Sequence, residues 1–225
     1  MATTQDVKRF MEYRKRCPTA QEYYEKRGIS PDLIDEFHLG FCPLNKDHWA
    51  KGRIIVPVFD CYGRFLDFAG RKIRDEDSGP KWENGTFAFT PIGSTEKGHH
   101  LYNLNKAKYH ILEKQYAIVT EGYFDVITAW KYGLKNTVAT CGTSFTYTHL
   151  CLLMRYCELL VFVYDADESG QVASRKIRNE FSGNIGIINI ELEEGYDLDE
   201  YLKSYGVESF NELLNDRLEV DKLEG

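Results

Sequence analysis

The sequence predicts an α/β protein, with an α+β N-terminal subdomain followed by a Rossmann-like parallel sheet carrying helices on both faces. Three observations lead there. From residue 116 onward, short apolar runs alternate with helical stretches of about ten residues, the pattern of βαβ units. Upstream, two β-branched and aromatic runs flank Asp60-Cys-Tyr-Gly63, the pattern of an antiparallel hairpin. Charge divides the same way: residues 1–111 hold 18 basic and 15 acidic side chains, residues 112–225 hold 10 and 20. The expected organisation is a basic subdomain over 1–111, a parallel-sheet domain over 112–205 and a short acidic helical tail over 206–225.

Residues 1–28 read as helical and charged, with Thr19 as an N-cap and Gly28 as a stop. Ser30-Pro31 opens a short helix over 32–37, with proline in the first turn. Arg53-Ile-Ile-Val-Pro-Val-Phe59 and Arg64-Phe-Leu-Asp-Phe-Ala-Gly70 are the paired strands. Residues 74–98, rich in Asp, Ser, Gly, Pro and Thr, read as a long functional loop. Strands follow at 116–120, 137–140, 159–164 and 185–190, with helices over 124–132, 146–156 and 168–181 between them. The stretch 198–225 is helical and acidic.

The 225 residues can bury a substantial core, and 43% hydrophobic with 28% charged content describes a globular chain. No apolar run approaches the roughly 18 residues of a membrane span, and the first ten residues hold no apolar signal core. The six cysteines form no Cys-x-x-Cys pair, which argues against zinc and for the reduced thiols of a cytoplasmic protein. A net charge of -7 excludes binding to nucleic acid by bulk positive charge alone. A nucleic-acid role then requires a local basic surface or bound cations, and weak binding by the chain alone.

Acidic residues fall where the predicted strands end. The first parallel strand runs into Glu121-Gly-Tyr-Phe-Asp125, with Asp125 in the first helical turn. The third runs into Asp165-Ala-Asp167-Glu-Ser-Gly170, where alternation sets Asp165 and Asp167 on one side. After the fourth comes Asp197-Leu-Asp199. Ligands of parallel sheets sit at the carboxyl ends of the strands. Crowded carboxylates repel one another, and oxygen-only donors suit hard divalent cations, magnesium or manganese. Magnesium completes its shell with water and phosphate, so the pattern points to phosphoryl chemistry.

Glu121-Gly-Tyr-Phe-Asp125 followed by Asp165-Ala-Asp167-Glu-Ser-Gly170 resembles the TOPRIM domain shared by bacterial-type primases, topoisomerases and some nucleases. Upstream, Tyr23-Tyr-Glu-Lys-Arg-Gly28, Phe37-His-Leu-Gly-Phe-Cys-Pro43, Gly52-Arg53, Gly70-Arg71, Gly79-Pro-Lys-Trp82 and Lys97-Gly98 with Leu101-Tyr102 resemble, in order, the catalytic core of DnaG-type primases. Cys141-Gly-Thr-Ser144 resembles a loop of the same proteins. The resemblance implies that Glu121, Asp125, Asp165 and Asp167 are catalytic and bind two or more Mg2+ or Mn2+ ions, with Asp197 and Asp199 as a third metal-binding pair. It implies Arg53, Arg64, Arg71, Lys81 and Lys97 as nucleic-acid and nucleotide contacts, with Trp82 as a stacking platform.

The implied activity is DNA-directed RNA primer synthesis on single-stranded DNA from ribonucleoside triphosphates. The cysteine pattern of the family's zinc-binding domain is missing, and the sequence stops shortly after the third acidic pair. An excised core or a naturally reduced phage or mobile-element protein is implied, served by a replicative helicase or a separate zinc-binding protein, with no membrane partner. Two other readings are a metal-dependent TOPRIM nuclease and a non-catalytic TOPRIM module that binds nucleic acid or a replisome partner.

Overall fold

A computed structural model describes residues 3–46, 48–74, 77, 79–84, 97–142, 144–164, 177, 179–181 and 183–224. The chain forms two compact units, Met1–Glu96 and Lys97–Gly225.

The first unit sets three helices, α1 (Thr4–Lys15), α2 (Pro18–Lys26) and α3 (Pro31–Glu36), with strands β1 (Gly40–Phe41), β2 (Arg53–Phe59), β3 (Phe65–Lys72) and β4 (Trp82–Asn84). Thr3 and Asp6 close a reciprocal capping box on α1. Thr19 does not cap α2. Pro18 has its φ pre-set for the first helical position, so the helix starts two residues earlier, after Cys17. The strands form an antiparallel sheet in chain order. At the β2–β3 turn, Asp60 Oδ1 accepts from the backbone N–H groups of Tyr62 and Arg64, each at 2.9 Å, and Gly63 supplies a φ of +84°. Val7 and Phe10 of α1 meet Ile55 and Phe68 in the core. The helix approaches β1 so closely that a Cβ on Gly40 would lie 2.7 Å from Phe10 Cβ. The expected loop over 74–98 contains β4, and residues 85–96 lie outside the described residues.

The second unit opens on a single 3-10 turn, Lys97–His99. It continues through α4 (Leu104–Lys114), β5 (Tyr116–Thr120), α5 (Tyr123–Lys131), β6 (Thr137–Ala139), α6 (Tyr147–Leu153), β7 (Leu159–Tyr164), β8 (Gly186–Glu191) and α7 (Leu198–Glu224). Its sheet runs β6-β5-β7-β8, every pair parallel. Alternation along the strands fills both faces. Ile118, Val161, Val163 and Ile190 turn to one face, against Ala129 of α5 and the apolar stripe of α7. Phe162 turns to the other, where the Phe145 ring stands edge-on to it at 5.0 Å and Phe181 packs on Phe145. Of the expected helix over 168–181, only 177 and 179–181 are described, and these are helical.

Two expected boundaries move. Residue 111 falls inside α4, whose buried Leu104, Ala107 and Ile111 are an apolar stripe leading into β5 through Gln115. The units therefore divide at Glu96, before that helix. The expected tail starts at Gly206, which breaks α7 with φ 81° and ψ 177°. Beyond the break the helix returns Phe210 and Leu214 to the core, so this stretch is structural rather than appended. Among the described residues no helix is long and apolar enough to cross a membrane. All six cysteines are free thiols, and burial pushes those of Cys42 and Cys157 up to about 11.

Two measurements check this account. Phe210→Ala should lower the unfolding free energy by about 3–5 kcal/mol in urea titration; a change below about 0.5 kcal/mol would mean the stretch after Gly206 is not part of the core. Asp67 on β3 is 3% exposed, and burial raises its pKa against the lowering effect of the Phe68 N–H at 2.8 Å. The folded state thus holds this proton more tightly than the unfolded chain, and stability falls as pH rises from about 3.9 through the raised value. Asp67→Asn should stabilise the protein at pH 7, with the gain vanishing below about pH 3.9.

Candidate metal centre and nucleic-acid interface

In the second unit the connections leave β5 towards β6 and leave β7 towards β8, on opposite sides. The topological switch point lies between the carboxyl ends of β5 and β7, where open parallel sheets receive ligands. Glu121 and Gly122 follow β5 directly. Gly122 is the N-cap of α5 and has no side chain to offer, so Asp125 supplies the cap: its Oδ2 accepts from the Gly122 N–H at 2.8 Å. A Cβ on Gly122 would lie 2.9 Å from that oxygen, so glycine is what admits this cap. Asp125 is 6% exposed.

The β5–β7 register pairs Val119 with Phe162, which carries Glu121 to the level of Tyr164. The Tyr164 hydroxyl responds to this neighbour: burial first, and the Glu121 carboxylate second, push its pKa far above the ordinary tyrosine value. The loop after β6 wraps the same corner. Cys141 N–H donates to the Glu121 carbonyl at 2.9 Å, and Thr140 N–H to that of Thr120 at 3.1 Å. Cys141 and Gly142 both take left-handed backbone, with φ 57° and 79°. The sequence marked this loop only by its resemblance, and the left-handed backbone at Cys141 and Gly142 is a finding of the structure.

Asp165 and Asp167, the expected continuation of this edge, lie outside the described residues. Asp197 and Asp199, expected as a third metal-binding pair, carry helix-stabilising bonds. Asp197 Oδ1 accepts from the Glu200 N–H at 2.7 Å and caps α7. Asp199, 4% exposed, accepts from the Thr128 hydroxyl and pairs with Lys203 at 2.6 Å. Thr128 lies one turn beyond Asp125, so this bond ties α7 to the helix that carries the site. Among the described residues no three His, Cys, Asp or Glu side chains are grouped to hold a metal ion. Glu121 and Asp125 offer carboxylate oxygens alone, a donor chemistry that fits a hard divalent cation rather than zinc.

The expected cationic contacts in the first unit divide by their place on the β2–β3 hairpin. Arg53, 6% exposed, donates to the carbonyls of Gly70 at 3.4 Å and Pro80 at 3.0 Å, and pairs with Glu83 at 3.0 Å. It stitches β2, β3 and β4 together while lining a cavity of about 670 Å³. Trp49, Lys51, Lys72 and Arg74 line the same cavity. These three cations were missed from the sequence. Their signal was the strand register, since Arg53 pairs with Lys72 and brings both strand ends together. Arg71 donates its Nε–H to the Tyr23 hydroxyl at 2.7 Å and lies over the Trp82 ring at 5.6 Å. Trp82 thus packs on a guanidinium.

Arg64 is not brought to this end. It sits at the far tip of the hairpin, about 20 Å along β2 from Arg53, and its Nε is 2.6 Å from the Asp60 carboxylate, which raises its pKa. Its role is closing the turn. Lys81 is exposed beside β4. Lys97 belongs to the 3-10 turn that opens the second unit.

Residues 118–202 match the Toprim-like family. A DNA primase of Aquifex aeolicus is 31% identical over 87% of this chain and 44% of its own length. The chain spans between about a third and under half of the curated relatives it matches, at 44%, 34% and 38% for three of them. The zinc-binding and RNA polymerase domains of the Aquifex aeolicus primase superpose with TM-score 0.81 and 28% identity, over 93% of this chain and 59% of that one. A DnaG primase catalytic domain bound to single-stranded DNA superposes with TM-score 0.78 and 26% identity, over 93% and 75%.

Gly122→Ala and Asp125→Ala should each cost about 0.5–2 kcal/mol of stability. The double variant should cost little more than either single one, because both remove the same bond. Additive losses in urea titration would show that Asp125 does not cap α5.

Proposed function

We propose, for a chain that belongs with the DnaG-type primase catalytic cores and carries a Toprim-like domain, the synthesis of short RNA primers on single-stranded DNA. The reaction is nucleotidyl transfer: the 3′-oxygen of one ribonucleotide bonds to the α-phosphorus of the next. The α–β phosphoanhydride breaks, pyrophosphate leaves, and the hydroxyl proton passes to solvent or a basic group. The observation that carries this reading is Glu121 and Asp125 at the switch point, with Glu121 at the level of Tyr164, the last residue of β7.

Glu121, Asp125, Asp165 and Asp167 are the residues that would hold divalent cations, magnesium or manganese. Bound cations supply charge neutralisation at the attacking and departing oxygens. The chain's own contribution is positioning and electrostatics, which dominate phosphoryl transfer. Gly122 and the α5 cap fix the Asp125 carboxylate, and Asp199 with Asp197 fixes the start of α7 next to α5. In the first unit, Lys51, Arg53, Lys72, Arg74 and Lys81 supply donors for phosphates of the template or the incoming nucleotide, and such contacts are independent of sequence. A replicative helicase or a zinc-binding protein would serve as partner in the cytoplasm.

Purified chain with magnesium or manganese, ribonucleoside triphosphates and single-stranded DNA should yield oligoribonucleotides, and Asp165→Ala should lower the yield about 100-fold or more. No product, even with helicase and zinc-binding protein added, would refute the reading. Metal-dependent degradation of nucleic acid without triphosphates would establish the nuclease alternative.

A further inference from the structure

The cavity of the first unit, about 670 Å³, has two kinds of wall. One is apolar, lined by Phe41, Pro43, Leu44, Trp49 and Pro80. Trp49 is half-buried and packs on the core that holds Phe10 and Phe68. Bare backbone lets these side chains lie close: a Cβ on Gly70 would be 3.0 Å from the Trp49 ring, and one on Gly52 would be 2.8 Å from Leu44 Cδ2. Leu44 itself is 77% exposed, so the apolar wall reaches solvent.

The other wall is cationic. Among the described residues that line the cavity are four cations, Lys51, Arg53, Lys72 and Arg74, against two carboxylates, Asp77 and Glu83. Arg53 is taken up by Glu83 and two carbonyls, and Lys72 donates to the Asp77 carbonyl at 3.4 Å. Asp77 turns its carboxylate to the Arg74 backbone N–H at 3.1 Å, and Glu22, which also feels Arg74, pairs with Lys26 at 2.8 Å. The register that pairs Arg53 with Lys72 brings Lys51 and Arg74 to the same end of the hairpin, and both are exposed there. An apolar wall faced by cations suits a nucleotide. Its base has flat faces to stack on an aromatic ring, and its phosphate oxygens accept from ammonium and guanidinium donors. Cavities of roughly 300–1,000 Å³ take ligands of this size.

We propose that this cavity is a nucleotide site of the first unit, built without any residue of the metal centre: a base stacks at Trp49 within the apolar wall, and its phosphate is held by Lys51 and Arg74. The nucleotide belongs to the single-stranded template or is a free ribonucleotide, and for those two sources the inference rests on the primase reading of the chain.

The test uses the full chain with EDTA present, which removes cation-dependent binding at Glu121 and Asp125. Cys17 lines the cavity, so an occupant shields its thiol from iodoacetamide, read residue by residue in the mass spectrometer. The exposed Cys151 of the second unit is the reference. The probes are oligo(dT) and ATP. At about ten times the Kd of a probe, alkylation of Cys17 slows about tenfold while that of Cys151 holds. Shielding by oligo(dT) alone assigns a template nucleotide, by ATP alone a free one, and by both a site that takes either. Trp49→Ala weakens the shielding probe about tenfold. Lys51→Ala and Arg74→Ala, at exposed positions, each weaken it about threefold and for oligo(dT) lower the salt slope by about 0.7; they decide the matter if Trp49→Ala folds poorly. Cys17 alkylated at one rate with and without both probes, or shielding indifferent to Lys51→Ala and Arg74→Ala, overturns the inference, while primer synthesis by the same protein with magnesium restored leaves the primase reading standing. Shielding that the variants weaken, in a chain that makes no primers, keeps the nucleotide site and removes the primase reading. Neither shielding nor primers overturns both.

Discussion

The parallel pairing of β5 with β7 is the constraint on which the second unit depends. These strands are far apart in sequence, and the chain between them visits β6 on the other side of β5 before returning. That detour creates the switch point. It brings the acidic exit of β5 beside the carboxyl end of β7, and leaves both faces of the central strands to be buried by helices. Strands buried on both faces have no polar side to spare, so charged groups fall beyond the strand ends, at the carboxyl edge. The acidic corner follows from how the sheet is wound.

The same economy governs the helices around that corner. Asp125 caps its own helix, Asp197 caps α7, and Asp199 ties α7 to α5 through Thr128. An acidic residue near a helix N-terminus is favoured by the backbone before any ligand is considered. This is why the acidic positions look alike in sequence while the four described ones, Glu121, Asp125, Asp197 and Asp199, differ in the fold. Glu121 stands directly after β5, whereas Asp197 and Asp199 have evident mechanical work.

What the sequence revealed was set by local chemistry. Ser30-Pro31, Asp60 to Gly63 and the alternation of strand and helix after residue 116 are short-range patterns, and each appears in the fold. The Arg53–Glu83 pair, the bond from Arg71 to the Tyr23 hydroxyl, and the cavity formed with Lys51, Lys72 and Arg74 join residues brought together by register. A list of basic positions cannot separate Arg64, held at a turn by Asp60, from Arg71, stacked on Trp82. Asp199 could not be read as a brace because its partner Thr128 lies 71 positions away. Helix α4 was missed altogether: no helix was expected over 104–114, and the expected boundary at 111 falls inside it.

Gly206 carries a consequence for how such a domain is inherited. The similarity to the Toprim-like family ends at residue 202, yet the hydrophobic interior is completed by side chains beyond the bend, at Phe210 and Leu214. The module recognised by resemblance is therefore smaller than the module that can bury its own interior. A segment moved into another protein at the family boundary would arrive with an open flank over β5, β7 and β8. Any recombination that preserves folding must carry the bend and the turns after it, or find another helix to lie in their place.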